Sequence, residues 1–392
     1  MNTRPAVTSL LKQAHLPYWR LSGLYFFNCL ISGLLLPFWG IYLDAIGLTG
    51  SQIGISSALL LASNIIAPFC WDKLATRGHR PIDVIKLGLL LAFLCSLVLF
   101  DIDGFLATSI FIFVLSFCWQ GISPLIESLT LSHLGPSSAH YGKIRLWGSV
   151  GFVVAVTGLG YTFEAISIKT LPFILTCFVL FMLFSSLLVP EQSQTRKKSP
   201  SVALLPALKE SGCIGMFIAV FLAQVSQGAY IGFFSLTMQQ HGVGLNIIGY
   251  LWSVAVVAEV VMFVVVHRLI TKLGADKLLA LSLVITAIRW LVVAFFVELI
   301  PLMFIAQLLH AFTYSATHSS IIELIRQQFS EQSQGKGIII YCTICLGGGT
   351  ALGTILCGYL WQFGSMTIFT LSASIAVIAS MITWYWSKKR LN

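Results

Sequence analysis

The chain of 392 residues is 57% hydrophobic and only 9% charged, with a mean hydropathy of +0.90. About a quarter of the residues of a soluble globular protein are charged, so this composition excludes a water-soluble globule and indicates an integral membrane protein. The net charge of +9 raises the question of a nucleic-acid partner, but its placement along the chain answers that question without one.

A bilayer-crossing helix needs about 20 mostly apolar residues. Twelve such segments are expected, near 20–43, 52–70, 83–100, 105–133, 142–164, 170–189, 213–238, 245–268, 276–297, 301–327, 337–360 and 366–386. The start Met-Asn-Thr-Arg lacks a small-residue cleavage site, and the apolar run after Arg20 exceeds the ~7–15 residues of a signal-peptide core. The first segment is therefore read as a retained span, offering Tyr25, Asn28 and Ser32. Span 4 runs without charge through FLATSIFIFVLSFCWQGIS into PLIESLTLSHLG, where Glu127 stands alone. An isolated carboxylate at bilayer depth costs about 2.5–3.5 kcal/mol, so such a group usually faces a wet cavity or a partner.

Polar residues recur at helical spacing on several spans. Gln120, Ser123, Glu127 and Thr130 form one stripe on span 4; Gln307, His310, Tyr314 and Thr317 form another on span 10, with His318 beside it. Span 7 offers Gln224 and Gln227, and span 8 offers Trp252 and Glu259. At ~1.5 Å per residue, Glu259 lies roughly 14 Å from Arg268 and His310 roughly 14 Å from Pro301, so both are near mid-membrane. Arg289 of span 9 lies roughly 20 Å from its own end by the same rise, with Glu259 and His310 as natural partners.

The basic residues fall on one side. Arg4, Lys12 and Arg20 precede span 1; Lys73, Arg77 and Arg80 follow span 2; Lys143 opens span 5; Arg196, Lys197, Lys198 and Lys209 lie between spans 6 and 7. Arg268, Lys272 and Lys277 follow span 8, Lys336 opens span 11, and Lys388, Lys389 and Arg390 close the chain. The opposite loops hold Asp44, Asp101, Asp103, Glu164, Glu298 and a single lysine, Lys169. The positive-inside rule then places both termini in the cytoplasm.

The chain also repeats itself. KLATR (73–77) follows span 2 and RLITK (268–272) follows span 8, while GKIRLW opens span 5 and GKGIII opens span 11. Both pairs share an offset of six spans, which suggests two parallel six-helix halves, 1–189 and 212–392, joined by the polar segment 190–211. Transporters built from such repeats hold substrate near the midplane between the halves.

The topology, with PYWRLSGLYFF and LPFWGIYL in span 1, PLIESLTL in span 4, YGKIRLWGSVGF in span 5 and QLLHAFTYSATH in span 10, resembles the major facilitator superfamily. The likeness is to its lactose permease and phenylpropionate permease branch and covers essentially the whole chain. It implies an all-α membrane protein of twelve helices in two pseudo-symmetric bundles. It also implies a cavity pair of Glu127 and Arg145, and a gating loop here reduced to WDKLATRGHR, with Asp72, Lys73, Arg77 and Arg80. Lactose permease carries a proton-handling glutamate three residues after the span 10 histidine; Thr313 stands there in this sequence. Span 5 lacks the glycine–proline motif of the superfamily's antiporters, which favours import over drug export.

The expected function is thus a secondary transporter, a proton-coupled symporter of a small organic solute such as an aromatic carboxylate. A sugar or nucleoside symporter, a drug/proton antiporter and a non-transporting membrane sensor are the alternatives. Glu127, Arg145, Trp147, Asn28, Gln120, Gln224, Gln227 and Tyr314 are the expected substrate residues. Glu259, His310, Arg289 and His318 are the expected coupling residues, though an interhelical hydrogen bond would account for His318 equally well. No Walker sequence, zinc motif, serine–histidine arrangement or paired aspartates in the spans point to an enzyme. No cofactor is expected beyond the proton gradient; the partners are substrate, protons and lipid, not nucleic acid, and a monomer in a bacterial cytoplasmic (inner) membrane is expected. Cys342 and Cys345 form a C-x-x-C inside an apolar span, where packing is a better account than redox or zinc chemistry.

Overall fold

The computed structural model describes residues 17–135, 140–190, 213–331 and 333–391. The expected linker lies outside them apart from Pro190. Among the described residues eleven helices are long and apolar enough to cross a bilayer: α1 (Tyr18–Ala45), α2 (Gly50–Thr76), α3 (Pro81–Val98), α4 (Phe105–Leu134), α5 (Tyr141–Ala165), α6 (Ile168–Leu187), α7 (Ile214–Gln240), α8 (Leu245–Leu273), α9 (Ala275–Phe296), α11 (Gln334–Phe363) and α12 (Ser365–Lys389). Large apolar side chains such as Ile66, Leu94, Ile110, Phe173 and Tyr385 lie exposed along them. Such a surface suits lipid and not water, and the chain is a multi-pass membrane protein.

The expected span at 301–327 is not among these eleven, and like α11, which carries a π-helical segment at Tyr341–Gly349, it is irregular. Here α10 (300–328) comes in three pieces, Ile300–Leu308, a π-helical turn Ala311–Ala316 and Thr317–Gln328. No proline interrupts it. Its loosened backbone instead coincides with side-chain bonds to neighbouring helices: Thr313 accepts from Arg289 of α9 at 3.0 Å, and Ser315 donates to the Glu259 carbonyl of α8 at 3.1 Å. A π turn of this kind re-aims the side chains it carries. In α4 the break is a 3₁₀ turn, Gln120–Ile122, and its cause is covalent. Pro124 has no N–H to return to the Gln120 carbonyl, which takes the Ser123 N–H instead.

The internal repeat extends to backbone geometry. After α1, Gly47 (φ +87°) donates to the Asp44 carbonyl and Leu48 to that of Leu43; after α7, Gly242 (φ +75°) donates to Gln239 and Val243 to Met238. These are the same glycine-terminated helix stop, six helices apart.

Helix α1 packs on α5 and α6, α2 on α4 and α3 on α6; beyond residue 212, α9 packs on α12, α7 on α11 and α12, and α8 on α10. The most extensive pairings that cross between these sets are α1 with α7, α2 with α11 and α5 with α8. The α5–α8 crossing lies towards the loops that carry Asp44, Glu164 and Glu298, away from the basic loops. There the Tyr161 and Tyr250 hydroxyls meet at 2.6 Å, Thr157 and Ser253 at 2.7 Å, and the Leu245 N–H donates to Glu164 at 2.8 Å.

Candidate functional site

A cavity of about 890 Å³ opens between the two sets of helices. Its rim holds Gly142 and Lys143 at the start of α5, Val264 of α8 and Cys342 of α11, all at the end that carries the basic loops. Its floor reaches Tyr230, Trp252, His310 and Thr350, near mid-helix. Tyr314 is 37% exposed although it stands in the middle of α10, so solvent reaches that depth. The far end is closed by the α5–α8 contacts. The structure is open towards one face only.

Of the residues singled out in the sequence, Arg145, Gln224, Gln227, Trp252, Glu259, His310 and Tyr314 line this cavity. Gln227 donates to the Thr313 carbonyl at 3.4 Å, and Thr350 donates to Gln224 at 3.4 Å, so both amides are held by the helices around them. Gln120 stands behind the lining: it accepts a short hydrogen bond from Asn64, which does face the cavity, and donates to the Leu60 carbonyl at 3.3 Å. Asn28 is half-buried and away from the cavity, and its side-chain oxygen has no hydrogen-bond partner.

Glu127 and Arg145 form no direct ion pair. Glu127 accepts from the Tyr141 hydroxyl at 2.9 Å, while the Arg145 guanidinium sits 6.0 Å from the Tyr25 ring, and Tyr25 and Tyr141 meet edge to face at 6.5 Å. Two tyrosines therefore separate the charges expected to touch. Trp147 is also displaced from its expected place. Its indole N–H donates to Tyr18 at 3.1 Å and its ring packs on Trp19, whereas Phe152, seven residues after Arg145, lines the cavity 6.2 Å from Trp252.

Arg289 lies beneath the floor, fully buried. It donates to Gln307 at 2.9 Å, to Thr313 at 3.0 Å and to His310 Nδ1 at 3.0 Å, and lies over the rings of Tyr230 and Trp290 at 4.3 and 4.6 Å. Glu259 is not its direct partner. Its carboxylate is 3.7 Å from His310 Nε2, on the other edge of the imidazole. Tyr230, which the sequence stripe Gln224–Gln227 would have reached one step further on, stacks on Trp252 at 4.6 Å and donates to Gln307 at 3.1 Å. His318 accounts for itself by a bond to Tyr341 of α11 at 2.9 Å and lies outside the cavity.

Of the gating-loop residues, Asp72 is half-buried, Lys73 and Arg77 are exposed at the end of α2, and Arg80 begins α3. Glu323 and Arg326 form a surface pair at 2.7 Å. Cys345 points its thiol at the Phe217 carbonyl, and no cluster able to hold a metal occurs among the described residues.

Known proteins place this arrangement in a family. The sequence profile described as the MFS_1 like family matches residues 18–371. A relative from Escherichia coli (strain K12), described as a probable 3-phenylpropionic acid transporter, is 29% identical over 372 residues, covering 91% of this chain and 94% of the relative. The maltose permease of Geobacillus stearothermophilus is 28% identical over 387 residues, covering 93% of both. In fold, the crystal structure of the nucleoside transporter NupG superposes with a TM-score of 0.85 at 15% identity, covering 95% of this chain and 99% of that one. The chain belongs to the MFS_1 like family and is a membrane transporter of the major facilitator superfamily.

Proposed function

We propose that the chain is a proton-coupled symporter that takes up a small organic acid, in the first place an aromatic monocarboxylate, by alternating access. What carries this reading is the charge of the cavity. Its lining holds two cations, Lys143 and Arg145, against one carboxylate, Glu259, among aromatic walls of Phe152, Tyr230, Trp252, Phe263 and Tyr314. With Glu259 ionised one positive charge of the lining is left over, and with Glu259 protonated both are, so protonation strengthens the hold on an anion and proton loss weakens it. Ligand and proton then travel together. The relative described as a 3-phenylpropionic acid transporter agrees with a carboxylate held beside aromatic rings.

In this reading α10 is the twelfth crossing, residues 1–189 and 212–392 are two six-helix bundles that rock about the cavity, and the basic end faces the cytoplasm of a bacterial inner membrane. The described state is then inward-facing. Arg145 is the anchor for the carboxylate, with Gln224, Gln227 and Asn64 as its polar surroundings.

A charge-assisted hydrogen bond contributes about 1.5–3 kcal/mol, so Arg145→Ala should weaken aromatic-acid binding by about 100-fold while the purified variant stays folded. Equilibrium binding of labelled 3-phenylpropionate measures this, and wild-type affinity would remove Arg145 from the site. The aromatic wall gives a second contrast. Phe152→Ala should cost about 1.4 kcal/mol, or tenfold, whereas Trp147→Phe should stay within about twofold, since its ring lies outside the cavity.

A sugar or nucleoside is the second reading, favoured by the neutral amides Asn64, Gln224 and Gln227 on the lining and by the likeness to maltose permease. Proteoliposomes separate the two. A monocarboxylate with one proton moves no net charge, so uptake answers to a pH gradient alone. A neutral solute with one proton gains about 2.3 kcal/mol per 100 mV of membrane potential. Accumulation of maltose or a nucleoside driven by potential, with none of an aromatic acid, would overturn the first reading.

A further inference from the structure

We infer that Arg289 is a positioning residue: it locks His310 as the neutral imidazole protonated on Nε2, so that the ring offers Glu259 a hydrogen bond and does not itself carry the transported proton. The inference deepens the proton reading of Glu259 and rests on it only for what the lock is used for. Its starting point is the contact between Arg289 Nη1 and His310 Nδ1 at 3.0 Å. A guanidinium has N–H donors and no acceptor, so Nδ1 must accept through its lone pair. The ring proton therefore sits on Nε2, the nitrogen 3.7 Å from the Glu259 carboxylate. That distance is too long for a hydrogen bond, and a small side-chain rotation or one bridging water closes it.

The surroundings of the ring agree with this arrangement. Thr313, the residue at the position of the missing acid, accepts from Arg289 at 3.0 Å, and its hydroxyl lies 3.3 Å from the His310 carbonyl and 3.2 Å from Nδ1; a hydroxyl proton given to Nδ1 needs the same Nδ1 lone pair that the guanidinium uses. Tyr230 of α7 gives its hydroxyl proton to Gln307 and faces His310 with its ring at 5.3 Å; Tyr314 stacks on the other side at 5.8 Å. The charged and titratable groups around the imidazole are thus Tyr230 from α7, Glu259 from α8, Arg289 from α9 and Tyr314 from its own helix. A second proton on the ring would go to Nδ1 and point at the Arg289 N–H. That would set an imidazolium N–H against the guanidinium at 3.0 Å, a like-charge contact that Glu259, 3.7 Å away on the other edge of the ring, offsets only in part. The carboxylate is the one group at this floor free to change charge.

Arg289 itself explains why the lock is stable. It is fully buried, makes no ion pair with a carboxylate, and is held by three neutral acceptors and two aromatic faces. Its charge is felt by Glu259 through a polarised imidazole, and losing the guanidinium would free both the ring's tautomer and its protonation.

The test is nitrogen-15 NMR of histidine-labelled protein in lipid at about pH 7, where an ordinary histidine is part-charged. The chain has eight histidines, and the difference from His310→Gln isolates the signal. The wild type should show His310 as a single neutral species with Nε2 protonated. In Arg289→Met that signature should be lost to a mixture with the Nδ1–H or imidazolium forms. Should Arg289→Met fail to fold, Arg289→Lys should keep the tautomer, because an ammonium also donates only. An imidazolium or an Nδ1–H tautomer in the wild type overturns the inference. The spectrum is read without transport, so uphill accumulation by Glu259→Gln, which would overturn the proton reading, is a separate result.

Discussion

Reconstituted Glu259→Gln protein should exchange labelled aromatic acid across a membrane yet build no gradient under an imposed pH difference. The wild type should reach about tenfold accumulation per pH unit, the equivalent of 1.4 kcal/mol, while the variant stops near onefold. Glutamine keeps the size of the side chain and an oxygen for His310 Nε2, 3.7 Å away in the parent, but removes the proton. The cavity then holds Lys143 and Arg145 without a negative charge in every state, so the anion binds on either side and is carried either way. Counterflow and gradient-driven uptake in the same liposomes separate the two activities. Full uphill accumulation would move the proton site to Glu127 or a histidine, and loss of binding would make Glu259 a substrate ligand.

Much of this floor was legible in the sequence, because a polar group in an apolar span has few places to go. Glu259 and His310 do approach one another, and Arg289 does bond His310. What spacing could not give is the order of contact. It offered Arg289 both Glu259 and His310 as partners, whereas the imidazole stands between the two charges. That order depends on the π turn at Ala311–Ala316, and no proline or glycine marks that turn in the sequence. The Glu127 and Arg145 positions were read as a pair from a likeness in two stretches. In this state Tyr25 and Tyr141 fill the space between them, and a single sequence carries no information about which state of an alternating cycle is populated.

The tryptophan shows a different limit. Trp147 and Phe152 are five residues apart on α5, more than one turn, and face different neighbours: one meets Tyr18 and Trp19, the other Trp252. Composition favours the larger ring as a stacking surface, but helix phase decides which ring reaches the cavity, and Arg145 sets that phase: Phe152, seven residues on, shares its face, whereas Trp147, two residues on, does not. The interior amides were easier. Gln224, Gln227 and the unremarked Tyr230 follow one another at three-residue steps on α7, and all three line the cavity.

The closed end of the molecule gives the other large expected effect. A Cβ on Gly249 of α8 would lie 2.3 Å from the Val156 carbonyl oxygen of α5, and on the opposite partner a Cβ on Gly160 would lie 2.7 Å from the Leu245 carbonyl. These are backbone oxygens on rigid helices, which no rotamer change relieves. Gly249→Leu should therefore force α5 and α8 apart and break the Tyr161–Tyr250, Thr157–Ser253 and Glu164–Leu245 contacts that lie along the same crossing. Moving a two-state equilibrium from about 99:1 to 1:99 takes about 5.5 kcal/mol, within reach of an overlap of that size. Transport should fall below detection while ligand still binds from the newly opened side. Cys29, a thiol on the cavity lining, reports the change. In oriented vesicles its alkylation by an impermeant maleimide, read by mass spectrometry, should switch from the basic-loop face in the wild type to the opposite face in the variant. Wild-type uptake by Gly249→Leu would mean that the α5–α8 contact is not a gate of the transport cycle.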